Sequence, residues 1–349
     1  MRSTDRQSPS EETKMDTETK PDVTIVVPVR NRIGMLNDLL DSLIAQQFPP
    51  GQMELIVVDG DSAEPVQETV LAAASRAPFA IRYLKVEEDR GPVSKRNLGV
   101  ANAKGAIIAF TDSDCRATPG WLQALTAPMA DPAVGFVSGP VTYKPEQPKT
   151  FFSKLTAETL IEHPTYPTAN VAYRRDLFLQ MGGFDERLGV RDFLGRATEC
   201  GDTDLAWRIR KAGWKNVFAP KALILHEVED LSPLQWMLEP TRLILLPLLI
   251  RLHPEIAPRL LRWNIIFYPG TLRVYGALIL SLVLVLIDPW LFLSAVVVGM
   301  SLLAVLKARS PDPRRIFAAL RDIGLHFSRM VVLAATLIAG SLRYRRLVL

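Results

Sequence analysis

The chain has 349 residues, of which 48% are hydrophobic and 22% are charged; these values are near the globular average and exclude a fibrous or wholly disordered protein. The net charge of +4 is unevenly distributed. Residues 1–230 contain 27 Lys and Arg against 32 Asp and Glu, net −5, whereas residues 231–349 contain 14 against 5, net +9. Because the basic excess accompanies apolar segments, it indicates a membrane surface as partner and no nucleic acid.

The N-terminal residues and the cysteines bear on the compartment. Residues 1–21 are rich in Ser, Thr, Glu and Lys and have no apolar stretch, so they predict a disordered tail and not a secretory signal. Cys115 and Cys200 are too few and too far apart for a disulfide framework. We therefore expect the following domain to stay in the cytoplasm.

From Val23 onward, apolar runs that predict strands alternate with helical stripes, in which apolar residues recur every three or four positions. This order predicts an α/β fold with a mostly parallel, Rossmann-like sheet and right-handed crossovers. The predicted strands are 24–29, 55–58, 81–86, 106–110, 134–141, 168–173 and 217–225. The predicted helices are 32–46, 66–76, 93–103, 119–130, 174–181 and 203–212.

The composition becomes apolar after residue 231. Segments 274–287 and 290–306 carry no charge and as helices would be about 21 and 25 Å long. Because residues 267–273 can extend the first segment toward the roughly 30 Å hydrocarbon core, a transmembrane hairpin is predicted at about 267–287 and 290–306. A buried hairpin of a soluble domain is the alternative.

Basic residues flank the predicted hairpin, and a two-pass hairpin would return those that follow it to the side of the preceding domain, as the positive-inside rule requires. They are Lys307, Arg309, Arg314, Arg315, Arg321 and Arg329. The last apolar run, 330–342, precedes three further arginines, so we expect it to lie in the membrane interface rather than to cross. The predicted location is the cell membrane, with the preceding domain on the cytoplasmic face.

Polar clusters follow three of the predicted strands, at 30–31, 59–62 and 112–114. Ligands of open α/β sheets bind beyond the carboxyl ends of the strands. Asp112 and Asp114, two residues apart after a buried strand, suit a hard cation such as Mg²⁺ or Mn²⁺ held together with substrate phosphates. Taken alone, such a pair is also consistent with an Asx turn and a helix cap.

From Val23 to about Glu227 the chain resembles a family 2 glycosyltransferase of the GT-A fold. Five segments carry the resemblance in order: IVVPVRNR, VVDGDS, GPVSKRNLGVANAKGAIIAFTDSD, GGFDE and GDTDLAWRIRKAGW. It implies a GT-A domain over 22–230, followed at 231–349 by interfacial amphipathic helices and the membrane hairpin. It also implies a nucleotide-diphosphate sugar as the donor.

The resemblance assigns the donor site by position. The nucleoside and diphosphate would contact Pro28, Arg30, Asp59, Arg96 and Asp112, and Asp112 and Asp114 would hold Mg²⁺ or Mn²⁺. The family often has two consecutive aspartates where this chain has Asp59-Gly60. That departure puts recognition of the base in question, and Asp61 is the candidate substitute.

The resemblance also assigns residues to catalysis and to the second half of the site. Asp202 would be the base that deprotonates the acceptor hydroxyl, although the Glu that precedes this Asp in the family is Gly201 here. The alternative role for Asp202 is a helix N-cap. His226 would be a third ligand of the metal or diphosphate, and Asp185 would contact the donor sugar.

These assignments predict a membrane-associated, metal-dependent, inverting glycosyltransferase whose acceptor is a hydroxyl group, on a lipid-linked or other glycan. Within enzymes, the alternative is a polyprenyl-phosphate sugar synthase, although the GDTDL and GGFDE segments favour a hydroxyl acceptor. A processive polymerase is disfavoured because no QxxRW motif is present. A non-catalytic nucleotide-sugar-binding scaffold is the alternative from a different class.

Overall fold

The computed structural model describes residues 21–49, 51–156, 158–191, 195–309 and 312–349. The predicted disordered tail therefore lies outside the described residues, except for Pro21. The described residues form fourteen strands, twelve α-helices and four short 3₁₀ helices.

A seven-stranded sheet organises the first part of the chain, in the order β12-β6-β9-β4-β1-β2-β3. Strand β9 is antiparallel to β4 and β6, and the other neighbours are parallel, as predicted. These strands are β1 (Val23–Val29), β2 (Met53–Asp59), β3 (Ala80–Lys85), β4 (Ile107–Phe110), β6 (Val134–Ser138), β9 (Val171–Arg174) and β12 (Lys215–Phe218).

The central strands are buried on both faces, which explains their nearly continuous apolar sequences. Every residue of β1 and β2 is buried. Because β1, β2 and β4 are parallel in register, their carboxyl ends bring residues 30–32, 59–62 and 111–114 to one edge of the sheet. The fold thus assembles the three polar clusters that lie far apart along the chain.

Helices cover both faces of this sheet. The predicted helices are all present, with ends shifted by a few residues; the helix predicted at 119–130 ends in a 3₁₀ turn at Ala127–Ala130. They are α1 (Ile33–Ile44), α2 (Val66–Ala74), α3 (Pro92–Ala101), α4 (Trp121–Thr126), α5 (Arg175–Gln180) and α6 (Gly201–Lys211).

Two predicted strands are divided in the structure. The run 134–141 separates at Gly139-Pro140 into β6 and β7 (Val141–Tyr143), and the run 217–225 separates at Ala219-Pro220 into β12 and β13 (Ile224–His226). A Cβ atom at Gly139 would lie 2.4 Å from the carbonyl oxygen of Ala222, so the two turns pack directly on each other. The chain leaves the large sheet here and forms a second, three-stranded sheet, β5-β13-β7, with β5 at Cys115–Ala117.

Two small antiparallel ladders complete the β-structure of the described residues. Strands β10 (Gly189–Arg191) and β11 (Ala197–Glu199) pair antiparallel immediately before α6. Strands β8 (Ser153–Lys154) and β14 (Glu229–Asp230) pair in the same way.

Short helices follow Asp230 and pack on the sheet domain. They are α7 (Pro233–Leu238), a 3₁₀ helix at Glu239–Leu245, α8 (Leu246–Leu252), a 3₁₀ turn at Pro254–Ile256, and α9 (Ala257–Leu260). Ser232 begins α7 with a capping box, in which its hydroxyl accepts from Gln235 N–H and the Gln235 side chain accepts from Ser232 N–H. Apolar residues of α8 belong to the same core cluster as Val26, Ile56 and Phe110 of the central strands.

Three long helices end the chain: α10 (Pro269–Ile287), α11 (Pro289–Ala308) and α12 (Pro313–Tyr344). Each is long and apolar enough to cross a membrane. The turn at Asp288-Pro289 coincides with the turn of the predicted hairpin, and Asp288 caps α11 through a 2.8 Å bond from Trp290 N–H. The run 330–342 is not a separate segment, because it forms the second half of α12.

Candidate active site

The loops after β1 and β2 are joined by Asn31. Its N–H donates to Ser62 Oγ at 2.6 Å, and its Oδ1 accepts from Ala63 N–H at 2.8 Å. Asn31 and Arg32 adopt the left-handed backbone conformation, with φ of 58° and 66°. Asparagine tolerates that conformation better than most residues, so the RNR sequence suits the tight turn that leads into α1.

Pro28 and Asp59 lie where the two strands end, but Asp59 is used within the protein. Pro28 is the register partner of Val58 in β2. Asp59 is buried, its Oδ1 accepts from Ser62, and its Oδ2 accepts from Tyr83 Oη at 2.7 Å. Burial, together with the carboxylate of Asp59, raises the pKa of Tyr83 to about 12. Asp59 therefore holds the loop and the edge strand in place.

A partly buried ionic cluster lies beside this loop. Asp89 accepts from Lys95 Nζ at 2.8 Å and from Arg30 at 3.1 Å, and the Lys95 side chain is only 5% exposed. A Cβ at Gly60 would lie 2.3 Å from Lys95 Nζ. A side chain at residue 60 would therefore require the Lys95 ammonium group to shift.

Asp61 lies at the surface, at the edge of the sheet. Its side chain is 58% exposed and pairs with Lys85 at 3.0 Å. Asp89 is the other carboxylate of this region and is half-buried within its cationic cluster. The sequence motifs pointed to Asp61 and carried no signal for Asp89.

Asp112 and Arg96 form a close pair at the end of β4. Arg96 Nη2 donates to Asp112 Oδ1 at 2.5 Å, and Arg96 is only 7% exposed. Its Nε is buried without a hydrogen-bond partner. A charged donor left unpaired in this way is costly, so Arg96 is suited to an anionic ligand.

Arg96 also lines a pocket of about 250 Å³ together with Asp202 and Glu199. Its remaining lining residues are Pro92, Val93, Ala197, Thr198 and Arg242. The pocket therefore joins the start of α3, strand β11, the start of α6 and the 3₁₀ helix that follows α7. Both acids and the arginine that contacts Asp112 share one concave site.

Asp202 lies in the first turn of α6 and not at its N-cap, which is Cys200. Asp202 Oδ1 accepts from Thr203 N–H at 2.8 Å. Burial raises the pKa of Asp202 above its ordinary value, although this hydrogen bond and the charge of Arg96 act in the opposite direction. A half-buried carboxylate with a raised pKa is better suited to accept a proton than a solvated one.

Glu199 is the second acid of the pocket. Its Oε2 accepts from Val93 N–H at 3.0 Å, so it satisfies a free amide in the first turn of α3. Gly91 precedes that helix with φ of 112°, and a Cβ there would lie 2.2 Å from Glu199 Oε1. Burial raises the pKa of Glu199 as well. Residue 201 is Gly here instead of Glu, but Glu199 supplies a carboxylate to the same pocket.

Asp114 and His226 face each other across the ends of β4 and β13. His226 Nδ1 is 2.8 Å from Glu227 O, which leaves Nε2 directed at Asp114 Oδ1 at 3.5 Å. Asp114 Oδ1 is buried without a hydrogen-bond partner, whereas Oδ2 accepts from Arg32 at 2.8 Å. An orphaned carboxylate oxygen beside an imidazole nitrogen fits a divalent cation.

Cys115 completes a group of possible ligand atoms with Asp114 and His226, all within 4.8 Å of one another. Burial raises the pKa of the Cys115 thiol well above its ordinary value, and the charges of Asp112 and Asp114 act in the same direction. The thiol therefore stays protonated at neutral pH. The oxygen and nitrogen donors of Asp114 and His226 match Mg²⁺ or Mn²⁺ better than a thiophilic metal.

Asp204 supports α6 from the side opposite the pocket. It accepts from His253 Nε2 at 2.9 Å and from Arg208 at 2.7 Å. Arg208 in turn donates to Gly183 O at 2.7 Å and to Met181 O. Burial alone would raise the pKa of Asp204, but the bonds from His253 and Arg208 outweigh it and hold that pKa below its ordinary value.

Asp185 lies near the start of α6, because its backbone is 3.4 Å from the Cβ position of Gly201. Its carboxylate binds Arg187 through two contacts of 2.9 and 2.8 Å. Asp185 is not among the residues that line the 250 Å³ pocket. The structure thus brings Arg96, Asp112, Asp114, Asp202 and His226 to one region, with Asp185 beside it.

Comparison with known proteins matches part of this arrangement to a family. The family described as Glycosyl transferase family 2 matches residues 24–184, which include the three strand-end clusters. The match ends before Asp202 and His226.

Two relatives illustrate the range of similarity. A pre-mycofactocin glycosyltransferase of Mycobacterium tuberculosis is 31% identical over 219 residues, 59% of this chain and 43% of that protein. Glycosyltransferase AglE of Haloferax volcanii is 25% identical over 225 residues, 62% of this chain and 71% of that protein. The chain therefore spans less than half the length of the mycobacterial relative.

One solved structure aligns over most of the chain. The mannosyltransferase PcManGT from Pyrobaculum calidifontis, solved in complex with GDP-Man and Mn²⁺, gives a TM-score of 0.55 at 20% identity over 93% of this chain and 87% of that one. At this identity the alignment shows the fold, which is a GT-A-like α/β fold with a mainly parallel sheet followed by C-terminal helices.

Proposed function

We infer the function from the premise that this chain contains a family 2 glycosyltransferase domain, matched over residues 24–184. We propose that the protein transfers a sugar from a nucleotide-diphosphate donor to a hydroxyl group of an acceptor, with inversion at the anomeric carbon. The catalytic domain is residues 22–230, and residues 231–349 attach it to the membrane.

The observation that carries this proposal is the pocket shared by Asp202, Glu199 and Arg96. Inverting transfer needs a base that removes the hydroxyl proton as the oxygen attacks. Asp202 is the candidate base because burial raises its pKa while it remains in an open pocket. Arg96 reaches from this pocket to Asp112, so the base and the donor end of the site are adjacent.

The donor would lie across the carboxyl ends of β1, β2 and β4. The guanidinium groups of Arg30 and Arg96, the latter with an Nε that has no hydrogen-bond partner, are available to its phosphates. Pro28 and Asp59 shape the loop beside its nucleoside. Asp61 remains the proposed contact to the nucleobase of the donor, and Asp89 is a second candidate for that contact from the same region. Asp185 is proposed to reach a hydroxyl of the donor sugar by releasing Arg187.

Asp112, Asp114 and His226 would hold a divalent cation, Mg²⁺ or Mn²⁺. When bound, such an ion neutralises the diphosphate leaving group and orients it. Asp114 Oδ1, which has no hydrogen-bond partner, and the His226 Nε2 directed at it support this assignment. Arg32 currently pairs with Asp114, and its 45% exposed side chain can move into solvent when an ion binds.

The acceptor is proposed to be lipid-linked. The supporting observation is that the domain is continuous with helices long and apolar enough to cross a membrane. Insertion of these helices would hold the pocket near the bilayer surface. A site in this position encounters its acceptor within two dimensions, where the local concentration of a membrane-bound substrate is high.

The function is tested with full-length protein in detergent. A panel of nucleotide sugars is supplied with Mn²⁺ or Mg²⁺ and a membrane lipid extract, and release of nucleoside diphosphate is measured together with transfer of labelled sugar to the extract. We expect one donor to support transfer, and EDTA to abolish it.

Asp202→Asn, which removes the proposed base, has Asp131→Asn as its matched control. Asp131 is a surface carboxylate that pairs with Lys215 away from the pocket. It should transfer at the wild-type rate. Donor binding without turnover under all conditions would favour the nucleotide-sugar-binding scaffold. Recovery of the sugar on a polyprenyl phosphate oxygen instead of a hydroxyl group would favour the polyprenyl-phosphate sugar synthase.

A further inference from the structure

Lys144 is a buried lysine that follows β7 and contacts Glu227, the residue next to His226. Its side chain is only 2% exposed, and its Nζ lies 2.6 Å from Glu227 Oε2 and 3.0 Å from Asp38 Oδ2. A buried ammonium group requires such partners, but a buried ion pair contributes little net stability compared with apolar side chains of similar size. The more specific consequence of this contact is that it fixes the position of Glu227.

Gln147 binds the same glutamate from the turn that follows Lys144. Its Nε2 donates to Glu227 Oε1, and its Oε1 accepts from Val228 N–H at 2.7 Å. Lys144 N–H donates to His226 O at 3.0 Å. Both the main chain and the Glu227 carboxylate of this segment are therefore bound to the turn that begins at Lys144.

The main chain of Glu227 in turn sets the orientation of the His226 imidazole. Glu227 N–H donates to Asp114 O at 2.9 Å, and Glu227 O lies 2.8 Å from His226 Nδ1. Because a carbonyl oxygen only accepts hydrogen bonds, Nδ1 carries a proton, and the lone pair of the neutral imidazole is on Nε2. Nε2 is directed at Asp114 Oδ1 at 3.5 Å. A hydrogen bond to the second ring nitrogen is how proteins commonly fix the tautomer and orientation of a histidine that binds a metal.

Strand pairing by itself does not fix Glu227. Strand β13 ends at His226, and β14 begins at Glu229. Glu227 and Val228 lie between these strands, outside both ladders. Their position therefore depends on the hydrogen bonds and the ion pair described above. Loss of the contacts from the turn would leave His226 in β13 but would release the carbonyl that orients its ring.

We propose that Lys144 and Gln147 are positioning residues for the divalent cation. They hold Glu227 so that its carbonyl fixes the tautomer of His226 and directs Nε2 toward Asp114. Neither residue would contact the ion, so both act through the imidazole. Neither lies in the five sequence segments that resemble family 2 glycosyltransferases. The inference rests on the proposed function, which assigns a cation to this site.

The test is binding of Mn²⁺ alone to full-length protein in detergent, followed by the loss of the electron paramagnetic resonance signal of free Mn²⁺. Lys144→Met and Gln147→Leu should each weaken Mn²⁺ binding by about 10–100-fold, the usual effect of removing a group that orients a metal ligand. Gln147→Leu leaves the buried ammonium paired, so it tests the proposal even if Lys144→Met fails to fold. Lys215→Met, at a surface ion pair with Asp131, is the control and should bind Mn²⁺ as the wild type does.

A double substitution separates positioning from general damage to the site. His226→Ala should weaken Mn²⁺ binding at least as much as Gln147→Leu does. If Gln147 acts through the imidazole, Gln147→Leu should cause no further loss of Mn²⁺ affinity in the His226→Ala background, whereas general damage would weaken the remaining ligands as well.

Two results would overturn the proposal. One is an equal loss of affinity from Gln147→Leu in both backgrounds. The other is unchanged Mn²⁺ binding by both Gln147→Leu and Lys144→Met while His226→Ala binds weakly. Unchanged binding by His226→Ala, or no binding by the wild type, would instead defeat the metal assignment of the proposed function and this proposal with it.

Discussion

Asp202 occupies a position in which catalysis and stability impose opposite requirements. Its carboxylate must be ionised to accept a proton, yet it is half-buried beside Glu199 and near Asp112. Burial disfavours the charged form of any carboxylate, and nearby negative charges add to this effect. The positive charge of Arg96 offsets only part of it.

Replacement of Asp202 by Asn should reduce sugar transfer by roughly 10²–10⁴-fold, because a positioned base contributes about that much to the rate. The amide keeps the shape of the side chain but cannot take the proton. Initial transfer rates at saturating donor would measure the loss. Donor protection against unfolding should remain as in the wild type. A variant that folds, binds donor and transfers at the wild-type rate would show that another group is the base.

The same substitution should stabilise the protein at neutral pH. Since the pKa of Asp202 is raised on folding, the folded state loses stability as the pH increases from the unfolded-state pKa to the raised folded-state pKa, and this loss persists above it. The amide of the variant does not ionise, so the variant escapes this loss. The difference in Tm between Asp202→Asn and wild type should therefore grow with pH over this range and then level off. A difference that shrinks with increasing pH would contradict the burial argument.

At the scale of elements, helix α6 depends on residues beyond the catalytic domain. His253, at the end of α8, is 3% exposed and donates to Asp204 two residues after the proposed base. Lys211, at the other end of α6, donates to Leu252 O at 3.0 Å. The last residue of α8 and the residue that follows it thus contact both ends of the helix that carries Asp202.

His253→Ala should lower the free energy of unfolding by about 1–3 kcal/mol, because Asp204 would lose one partner in a buried site. Since the bond to His253 contributes to the depressed pKa of Asp204, part of this loss should disappear as the pH falls through that pKa. Denaturant unfolding at several pH values measures both effects.

Glu255→Gln is the matched control, since Glu255 pairs with Lys211 of the same helix at the surface. Its effect should stay within about 0.5 kcal/mol. Equal effects of the two substitutions would mean that the bond between His253 and Asp204 does not hold α6.

At the scale of the whole molecule, the second half of α12 contacts the short helices that follow the catalytic domain. Arg329 pairs with Glu239 at 2.9 Å, and Tyr344 O accepts from Arg251 at 3.2 Å, so both ends of this half contact the short helices. Leu349 N–H also donates to Ile265 O at 2.8 Å. These contacts support two membrane crossings, by α10 and α11, with residues 330–342 in the interface.

Cysteine labelling tests this topology, because the native Cys115 and Cys200 are buried and should not react. In intact cells, a membrane-impermeant maleimide should label Asp288→Cys at the hairpin turn and should not label Arg345→Cys. In lysed cells both should react. Labelling of Arg345→Cys from outside would mean that α12 crosses the membrane. Failure of Asp288→Cys to react from outside, with labelling after lysis, would contradict a cytoplasmic catalytic domain.

Local sequence determined most elements of this protein and the segments that resemble family 2 glycosyltransferases. The apolar runs of β1, β2 and β4, the apolar stripes of α1 to α3 and the hairpin turn at Asp288-Pro289 depend on short-range rules of burial and backbone geometry. These rules act on the amino-acid sequence without reference to tertiary contacts. The polar clusters at the strand ends followed, since parallel strands bring their carboxyl ends to one edge.

Tertiary structure alone decided which charged groups meet. Lys95 with Asp89, Arg32 with Asp114, Glu199 with the first turn of α3 and His253 with Asp204 are separated by up to 106 residues or come from regions without a motif. Such contacts arise from how whole elements pack. The interaction between two charged groups depends on the distance between them in space and not on their separation along the chain.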